Sequence, residues 1–339
     1  MSAMLPDFAS RIAFLSDARS YPFATSRVEV VETHMSWVFL TDRYAYKLKK
    51  PIRLDGHDLA LLEERESQCR NEVALNGRLS HGVYLGIAAL GVSAQGELQL
   101  GGGRVADWLV WMRRLPEELM LDRLIALGRV DEGRLVACIE RLARFYASVP
   151  PEPITPPEYR ARIAARIVEN LDALRLPQGG LPALEVERVA SGQLSFISTR
   201  GAKLDERADR RRIIEGHGDL RPEHICLESP PQVIDCLEFS RELRVLDPIE
   251  ELGFLAMECG RLGAPQLDAA IFGAYGRASG DVPDPLLLHF HKSVSACVRA
   301  KLAVWHVAEP GPRGVQEWRR RASEYLGIAA RHLDAAMAA

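Results

Sequence analysis

The chain has 339 residues, of which 47% are hydrophobic and 26% charged, with a formal net charge of −3 and an isoelectric point near 6.3. This composition is typical of a globular protein with a real core, and the length allows two domains or lobes. The weak negative charge argues against nucleic acid and anionic membrane surfaces as partners, and no apolar run approaches the length of a membrane span.

The N-terminus and the cysteines indicate the compartment. Asp7, Arg11, Asp17 and Arg19 lie within the first twenty residues, a pattern unlike a signal peptide. The six cysteines form no CxxC pair and no zinc-like spacing; they are Cys69, Cys138, Cys226, Cys236, Cys259 and Cys297. We therefore predict reduced, mostly buried thiols in a cytoplasmic protein.

The first third of the chain is predicted to be mostly strands with one helix. Apolar, alternating runs predict strands at 28–31, 37–40, 44–48, 87–92 and 107–112. Pro51 ends the third run. Apolar positions spaced along 59–79 predict the helix, and a glycine-rich stretch at 96–103 separates the last two strands.

The rest of the chain is predicted to be helical, with one short hairpin. Apolar spacings of three and four predict helices at 117–128, 131–148, 158–174, 183–204, 247–262, 266–278, 284–307 and 314–337. Apolar residues at 225–227 and 233–234 flank a Ser-Pro-Pro turn and predict a hairpin. The pattern predicts a small strand-rich lobe, 1–115, and a larger helical lobe, 116–339, that carries this hairpin.

The hairpin carries the clearest candidate site. His217, Asp219 and His224 lie in the loop before it, and Asp235 follows its second strand. Such a hairpin would bring two carboxylates and an imidazole close together. Phosphoryl transfer uses one carboxylate to receive a hydroxyl proton and another to hold Mg²⁺ against nucleotide phosphates. A surface hairpin with solvated acids is the alternative, which is less favourable because idle charge beside apolar runs is costly.

A lysine from the first third is the candidate for contacting those phosphates. Ala45, Lys47 and Lys49 share one face of a strand, since side chains alternate with a period of two. Lys47 follows Ala45 at the A-x-K spacing of the kinase strand that contacts adenine and phosphates. Lys49 could serve instead, and a charged strand edge is the structural alternative.

These motifs together resemble a known family. Lys47, the HGDLRPEHI segment at 217–225 and the VIDCLEF segment at 233–239, followed by Asp247-Pro248, resemble the aminoglycoside phosphotransferase-like enzymes. Those enzymes share the α+β, protein-kinase-like, two-lobed fold. Further segments resemble a bacterial subgroup that is often fused to a C-terminal P-loop ATPase domain; they are 32–40, 46–51, 112–116, 215–219 and 298–301. The likeness covers roughly residues 25–330. No GxxxxGK[ST] motif occurs, so we expect the fused domain to be absent here.

The resemblance implies a nucleotide site in the first lobe. Glu72 would be the carboxylate partner of Lys47, chosen among four glutamates of the predicted helix because 71–75 resembles the corresponding family segment. The loop at 32–36 lacks glycine, so Ser36 and its neighbours would contact phosphates through N–H and hydroxyl groups. Three residues would lie at the hinge, where backbone groups read the adenine edge; they are Met112, Arg113 and Arg114.

The resemblance also implies the catalytic and metal residues. Asp219 takes the position of the catalytic-loop aspartate, which orients the acceptor hydroxyl and receives its proton. His217 is expected to hold the backbone of that loop, and Asp247 to anchor it. Asp235 would bind the metal. Glu238 would support a second metal or a nearby arginine.

His224 departs from the family pattern, which has asparagine there. An imidazole nitrogen suits Mn²⁺ or Zn²⁺ better than Mg²⁺. We therefore predict an ATP-dependent phosphotransferase that uses Mg²⁺, or Mn²⁺, with metal held by Asp235 and His224. One alternative is a pseudokinase that binds nucleotide without turnover. Another is a metal-dependent hydrolase with His217, Asp219 and His224 as ligands.

The acceptor is predicted only as a small molecule with a hydroxyl group. Lys292 and Arg299 are seven residues apart on one helix face, close to Lys301, and could meet a substrate carboxylate or phosphate. A solvated basic helix face is equally consistent with this spacing. No acidic pocket for a polycation is evident, so an aminoglycoside acceptor is not predicted.

Overall fold

The computed structural model describes residues 5–54, 57–308 and 314–338. In chain order, the strands are β1 (Glu29–Glu32), β2 (Ser36–Leu40), β3 (Tyr44–Lys49), β4 (Arg53–Leu54), β5 (His57–Asp58), β6 (Tyr84–Val92), β7 (Leu98–Leu100), β8 (Arg104–Arg113), β9 (Ile214–Glu215), β10 (Ile225–Cys226), β11 (Gln232–Val233) and β12 (Val245–Leu246). A six-stranded antiparallel sheet has the order β1-β2-β3-β8-β6-β7, and the others form short pairs.

The helices follow in the same order along the chain. They are α1 (Phe8–Ser16), α2 (Leu62–Asn76), α3 (Leu121–Ala126), α4 (Glu132–Ser148), α5 (Pro156–Leu174), α6 (Ala183–Arg200), α7 (Ala202–Asp209), α8 (Arg241–Arg244), α9 (Pro248–Arg261), α10 (Leu267–Ser279), α11 (Pro285–Ala308) and α12 (Gly314–Met337). Among the described helices, none combines the length and the apolarity that crossing a membrane would require.

The chain divides into two compact units. The chain up to Leu124 and Glu223–Arg241 form one, called here the sheet unit. Ile125–Pro222 and the chain from Glu242 onward form the other, called the helical unit. The hairpin β10–β11 thus belongs to the sheet unit, whereas the segment 217–219 belongs to the helical unit. The division predicted at 115/116 stays a prediction.

The two faces of the main sheet pack against different helices. Tyr46 and Leu48 of β3 lie in a cluster with Leu15 of α1. Ala45, on the opposite face of the same strand, lies in a cluster with Cys69 of α2. Because side chains alternate along a strand, the face of Ala45 is also the face of Lys47 and Lys49. Both lysines are therefore directed to the side of the sheet that α2 covers.

The face that α2 buries is largely polar. Arg65, Gln68, Glu72 and Asn76 are all buried, and they recur at helical spacing. Arg65 donates to the buried Asp107 of β8 across 2.7 Å. Buried polar groups are retained where they are paired, so this face joins the helix to charged groups as well as to the apolar cluster around Cys69.

Two predicted helices are each divided in the structure. Residues predicted as one helix at 117–128 form a 3₁₀ turn and then α3, because Met120 bridges to Cys226 and Leu119 accepts the N–H of Leu227. The helix predicted at 183–204 is divided at Gly201 into α6 and α7. All six cysteines are buried thiols outside any disulfide, as predicted.

Candidate functional site

Five alternating charges form the core of the candidate site in the sheet unit. The Nζ of Lys47 lies 2.8 Å from Oε1 of Glu72 and 2.6 Å from Oδ1 of Asp235. The Nζ of Lys49 lies 2.6 Å from Oε2 of Glu72 and also donates to Glu238. Three carboxylates and two ammonium groups give this cluster, called here the lysine network, a net charge of −1.

The backbone around Asp235 fixes the open end of the lysine network. Asp235 has a positive φ of 62°, a left-handed conformation that aspartate tolerates better than most residues. Its N–H donates to the Tyr84 hydroxyl across 3.1 Å. The next N–H, of Cys236, donates to Oδ1 of Asn76 across 2.9 Å, one helical turn after Glu72. The backbone that carries Asp235 is thereby tied to both β6 and α2.

Burial differs sharply along the lysine network. Glu72 is fully buried, the Lys47 side chain is 12% exposed and that of Asp235 is 40% exposed. Burial lowers the pKa of Lys47, but the charges of Asp235 and Glu72 outweigh it and hold that pKa well above its ordinary value. Burial raises the pKa of Glu72, and both lysines bring it below its ordinary 4.5. Lys47 and Glu72 therefore stay charged at neutral pH.

Of the residues predicted to bind metal, the structure brings two together. The Nε2 of His224 lies 3.4 Å from Oδ2 of Asp235, and His224 is buried. Glu238 pairs with Lys49, and its role beside a second metal or an arginine stays a prediction. Across the described parts of the chain, no group of three or more His, Cys, Asp or Glu side chains is arranged to hold a metal.

The predicted hinge and loop residues are placed around the same sheet. Met112 pairs with Ala45 in the sheet and is buried. The N–H groups of Arg113 and Arg114 already donate to the carbonyls of Val83 and Arg43, so they are not available to read adenine.

Their side chains are also engaged. Arg113 bonds to Glu228, and Nη1 of Arg114 donates to the Thr41 carbonyl across 2.9 Å.

Ser36, the first residue of β2, is buried. Its N–H donates to Oγ1 of Thr33 across 2.9 Å. Its hydroxyl oxygen has no hydrogen-bond partner among the described residues. The hydroxyl therefore remains the polar group of this residue that a ligand can satisfy, while the N–H predicted to contact phosphate is already bonded.

The loop that bears Asp219 is held by a carboxylate that sequence reasoning missed. Oε1 of Glu251 accepts the N–H of His217 across 2.8 Å and that of Gly218 across 2.6 Å. Its Oε2 accepts the Tyr146 hydroxyl across 2.7 Å. A Cβ atom at Gly216 would lie 2.9 Å from the same carboxylate, so this close approach requires glycine.

Asp219 is oriented from two sides within the helical unit. Its N–H donates to Nδ1 of His217 across 3.2 Å, and its Oδ2 accepts from Nε of Arg221 across 3.0 Å. His217 is fully buried and accepts this backbone N–H, which fits the structural role expected for it. The Asp219 side chain is 22% exposed and so reaches solvent.

The prediction that Asp247 anchors this loop is wrong. Asp247 accepts two hydrogen bonds from Arg207, across 2.7 and 2.8 Å, and caps α9 through the N–H of Ile249. Glu251, four residues later and therefore one helical turn further on, is the anchor. The signal that could have found it is a second acid one turn after the cap.

The comparisons with known proteins agree on the fold. No protein-family model matches the chain. Uncharacterised proteins of Mycobacterium tuberculosis and Mycobacterium bovis are 34% identical to it over 311 residues, which cover 91% of this chain and 60% of theirs. The chain thus spans about 60% of the length of these curated relatives.

Solved structures cover the whole architecture. A choline/ethanolamine kinase family protein from Mesorhizobium loti has a TM-score of 0.53 at 17% identity, over 96% of this chain and 98% of its own. An aminoglycoside 2′-phosphotransferase in complex with GDP has a TM-score of 0.53 at 14% identity, over 98% of both chains. The chain has the aminoglycoside phosphotransferase-like fold. A choline kinase from Cryptosporidium parvum, with a TM-score of 0.53 at 10% identity over 96% and 97% of the chains, has this fold too. The predicted α+β, protein-kinase-like class is confirmed.

Within this phosphotransferase-like fold, two of the three basic residues considered for the acceptor are neutralised internally. Lys292 bonds to Asp268, and Nζ of Lys301 lies 2.7 Å from Oε1 of Glu169. Both lysines are buried. These two lysines therefore form neither a solvated basic face nor cations available to a ligand. For the third residue, Arg299, contact with a substrate anion stays a prediction.

Proposed function

We propose that this protein is an ATP-dependent phosphotransferase that moves the γ-phosphate of the nucleotide to a hydroxyl group of a small molecule. The observation that carries the proposal is the position of Lys47, held by one oxygen of the buried Glu72 and reaching Asp235. Kinases hold their phosphate-binding lysine through a helix glutamate, with the metal-binding aspartate nearby. The fold supports the same function.

Nucleotide binding would use the face of the sheet that carries Ala45 and Lys47. The lysine charge would meet the phosphates, and Ala45 would leave room for the flat base. The adenine edge would accept a hydrogen bond from the N–H of Leu115. This N–H donates to no group in the described part of the chain. The hinge thus shifts one residue beyond Arg113 and Arg114, whose N–H groups are already bonded.

Asp235 would be a ligand of a divalent metal ion that also binds the nucleotide phosphates. Mg²⁺ in nucleotide sites is held by one or two carboxylates, with phosphate and water oxygens completing the shell. Asp235 is the exposed end of the lysine network, and its Oδ2 faces His224 rather than a lysine. The His224 nitrogen adds a softer ligand, which favours Mn²⁺ more than Mg²⁺. A bound metal would neutralise part of the phosphate charge.

Asp219 would act as the base toward the acceptor. Its carboxylate would accept a hydrogen bond from the acceptor hydroxyl and receive the proton late in the transfer. Glu251 and His217 hold the loop in the shape that exposes this carboxylate. Arg221, bonded to Oδ2, fixes the carboxylate plane and places a positive charge beside it.

Binding and turnover are best measured separately. We expect ATP with Mg²⁺ or Mn²⁺ to bind the intact protein in calorimetric titrations, and Lys47→Met to weaken that binding about 10- to 100-fold. Asp219→Asn should bind ATP like the parent but lower phosphate release or transfer about 10²- to 10⁴-fold in an acceptor screen. Unchanged ATP affinity in Lys47→Met, or unchanged turnover in Asp219→Asn, would contradict these assignments.

A pseudokinase is the second candidate, because His224 lies beside Asp235 where the family has asparagine. It predicts tight nucleotide binding with no turnover across the acceptor screen. His224→Asn tests the two directly. Under the pseudokinase alternative this substitution creates activity in a protein that had none, whereas an active enzyme loses its preference for Mn²⁺ and keeps its turnover with Mg²⁺.

A further inference from the structure

Arg299 uses its charge differently from the two lysines on the same helix. Its Nε lies 3.2 Å from Oε1 of Glu258 and 3.5 Å from the Tyr325 hydroxyl. Its two terminal Nη groups donate no hydrogen bond to any residue that the structure describes. The side chain is 18% exposed. Arg299 is thus anchored by one nitrogen, with the fork of its guanidinium still able to bind a ligand.

The anchor of Arg299 is a built cluster rather than a chance contact. Glu258 is buried, and its Oε1 accepts the Tyr325 hydroxyl across 2.8 Å while its Oε2 accepts Nε of Arg261 across 2.7 Å. The Tyr325 ring centroid lies 5.6 Å from the Arg299 guanidinium carbon and 5.4 Å from that of Arg261. Two guanidinium groups and one carboxylate leave this cluster with a net charge of +1.

The geometry of α9 relates this cluster to the loop of Asp219. Glu251, which holds that loop, and Glu258, which holds Arg299, are seven residues apart on one face of α9. Seven residues of helix rise about 10 Å. Burial lowers the pKa of Arg299, but the nearby Tyr325, Glu258 and Asp219 together raise it above its ordinary value. The charge of Asp219 is therefore within electrostatic reach of Arg299.

We propose that Arg299 is an anion-binding subsite for the acceptor, which is then a small hydroxyl compound that carries a carboxylate or phosphate group. This rests on the proposed phosphotransferase function. The hydroxyl would lie at Asp219 and the anionic group at the Arg299 fork. Guanidinium groups bind such oxyanions through two parallel hydrogen bonds, and the same positive charge disfavours polycationic acceptors.

Matched ligands test the subsite without turnover. Glycerate and glycerol 3-phosphate would be titrated calorimetrically against glycerol, which has the hydroxyl groups but no charge. We expect both anions to bind the intact protein at least about tenfold more tightly than glycerol. Arg299→Gln should remove this difference, and Arg299→Lys should retain part of it because the charge remains but the planar fork is lost.

Arg261→Gln is the matched control, since Arg261 bonds the same Glu258 and contacts the same Tyr325 ring. We expect it to retain the preference for anions within about threefold. Equal affinity for the anions and glycerol would overturn the proposal, as would equal losses in Arg299→Gln and Arg261→Gln.

Lys47→Met serves as a second control, because anions can also bind the nucleotide site. A preference lost in Lys47→Met but kept in Arg299→Gln would place the anion in the sheet unit and overturn the proposal. Failure of ATP to bind would refute the phosphotransferase function while leaving the anion titrations intact, so the two failures are distinguishable.

Discussion

Lys47 and Lys49 share Glu72, yet we expect their replacement to have opposite effects on stability and on nucleotide binding. The perturbation is Lys47→Met in one variant and Lys49→Met in another, because methionine keeps most of the aliphatic length without the charge. Lys49→Met should destabilise the fold and leave nucleotide affinity close to that of the parent. Lys47→Met should weaken nucleotide binding and cost less stability than Lys49→Met.

The expected magnitudes follow from what each substitution leaves behind. Lys49 is 2% exposed and contacts Glu72, which is fully buried, and Glu238, whose side chain is 10% exposed. Breaking a buried ion pair from one side costs about 3–5 kcal/mol. Removing Lys47 leaves Glu72 paired with Lys49, and the 40% exposed Asp235 is solvated, so we expect about 1–2 kcal/mol.

The assay is chemical denaturation combined with calorimetric titration of ATP and Mg²⁺. Lys50→Met is the matched control, since Lys50 follows the same strand and pairs with Glu32, whose side chain is 42% exposed. We expect that control to change the free energy of unfolding by less than about 1 kcal/mol and nucleotide affinity not at all. Unchanged slopes of the denaturation curves would show that the variants unfold from a comparable native state.

Two results would refute this reasoning. If both methionine variants lost the same stability, the difference in burial between the two lysines would not control the energetics of the lysine network. If ATP affinity fell in Lys49→Met but not in Lys47→Met, the phosphate-binding lysine would be Lys49, which the alternating pattern of β3 also allows.

Two further predictions concern the helical unit. Glu251→Leu should lower the free energy of unfolding by about 3–5 kcal/mol and expose the His217 and Gly218 amides to hydrogen exchange. Glu251→Gln keeps an acceptor oxygen, so it should cost only about 1–2 kcal/mol and preserve the protection of these amides. His332 shares a hydrogen bond of 2.9 Å with His289, and burial, with the charges of Lys292 and His289, lowers its pKa from 6.5 to about 4. Between these two pKa values the folded state binds fewer protons than the unfolded state. The free energy of unfolding should therefore fall by about 2 kcal/mol as the pH drops from 6.5 to 4. In thermal unfolding curves, His332→Gln should reduce this dependence of stability on pH.

Local patterns in the chain determined much of the candidate site. Alternation along 44–49 placed Ala45, Lys47 and Lys49 on one strand face, as the structure has it. The loop motif around Asp219 and the apolar pairs before Asp235 predicted a turn and a short hairpin at the right positions. Strand faces, turns and short hairpins depend on residues that are close in the chain. The periodicity of side chains therefore predicts them from the sequence.

Tertiary structure alone decided which opposite charges meet. Three such pairings join segments that are distant in the chain. Glu72 bonds to both Lys47 and Lys49. Glu251 rather than Asp247 holds the Asp219 loop, and acidic side chains neutralise Lys292 and Lys301. The role of Glu72 was hard to predict because α2 carries several glutamates. In a sequence, a glutamate that packing will bury cannot be distinguished from one that stays solvated. Sequence periodicity gives the face on which a charge lies, whereas its partner is set by the energy of burying both charges together.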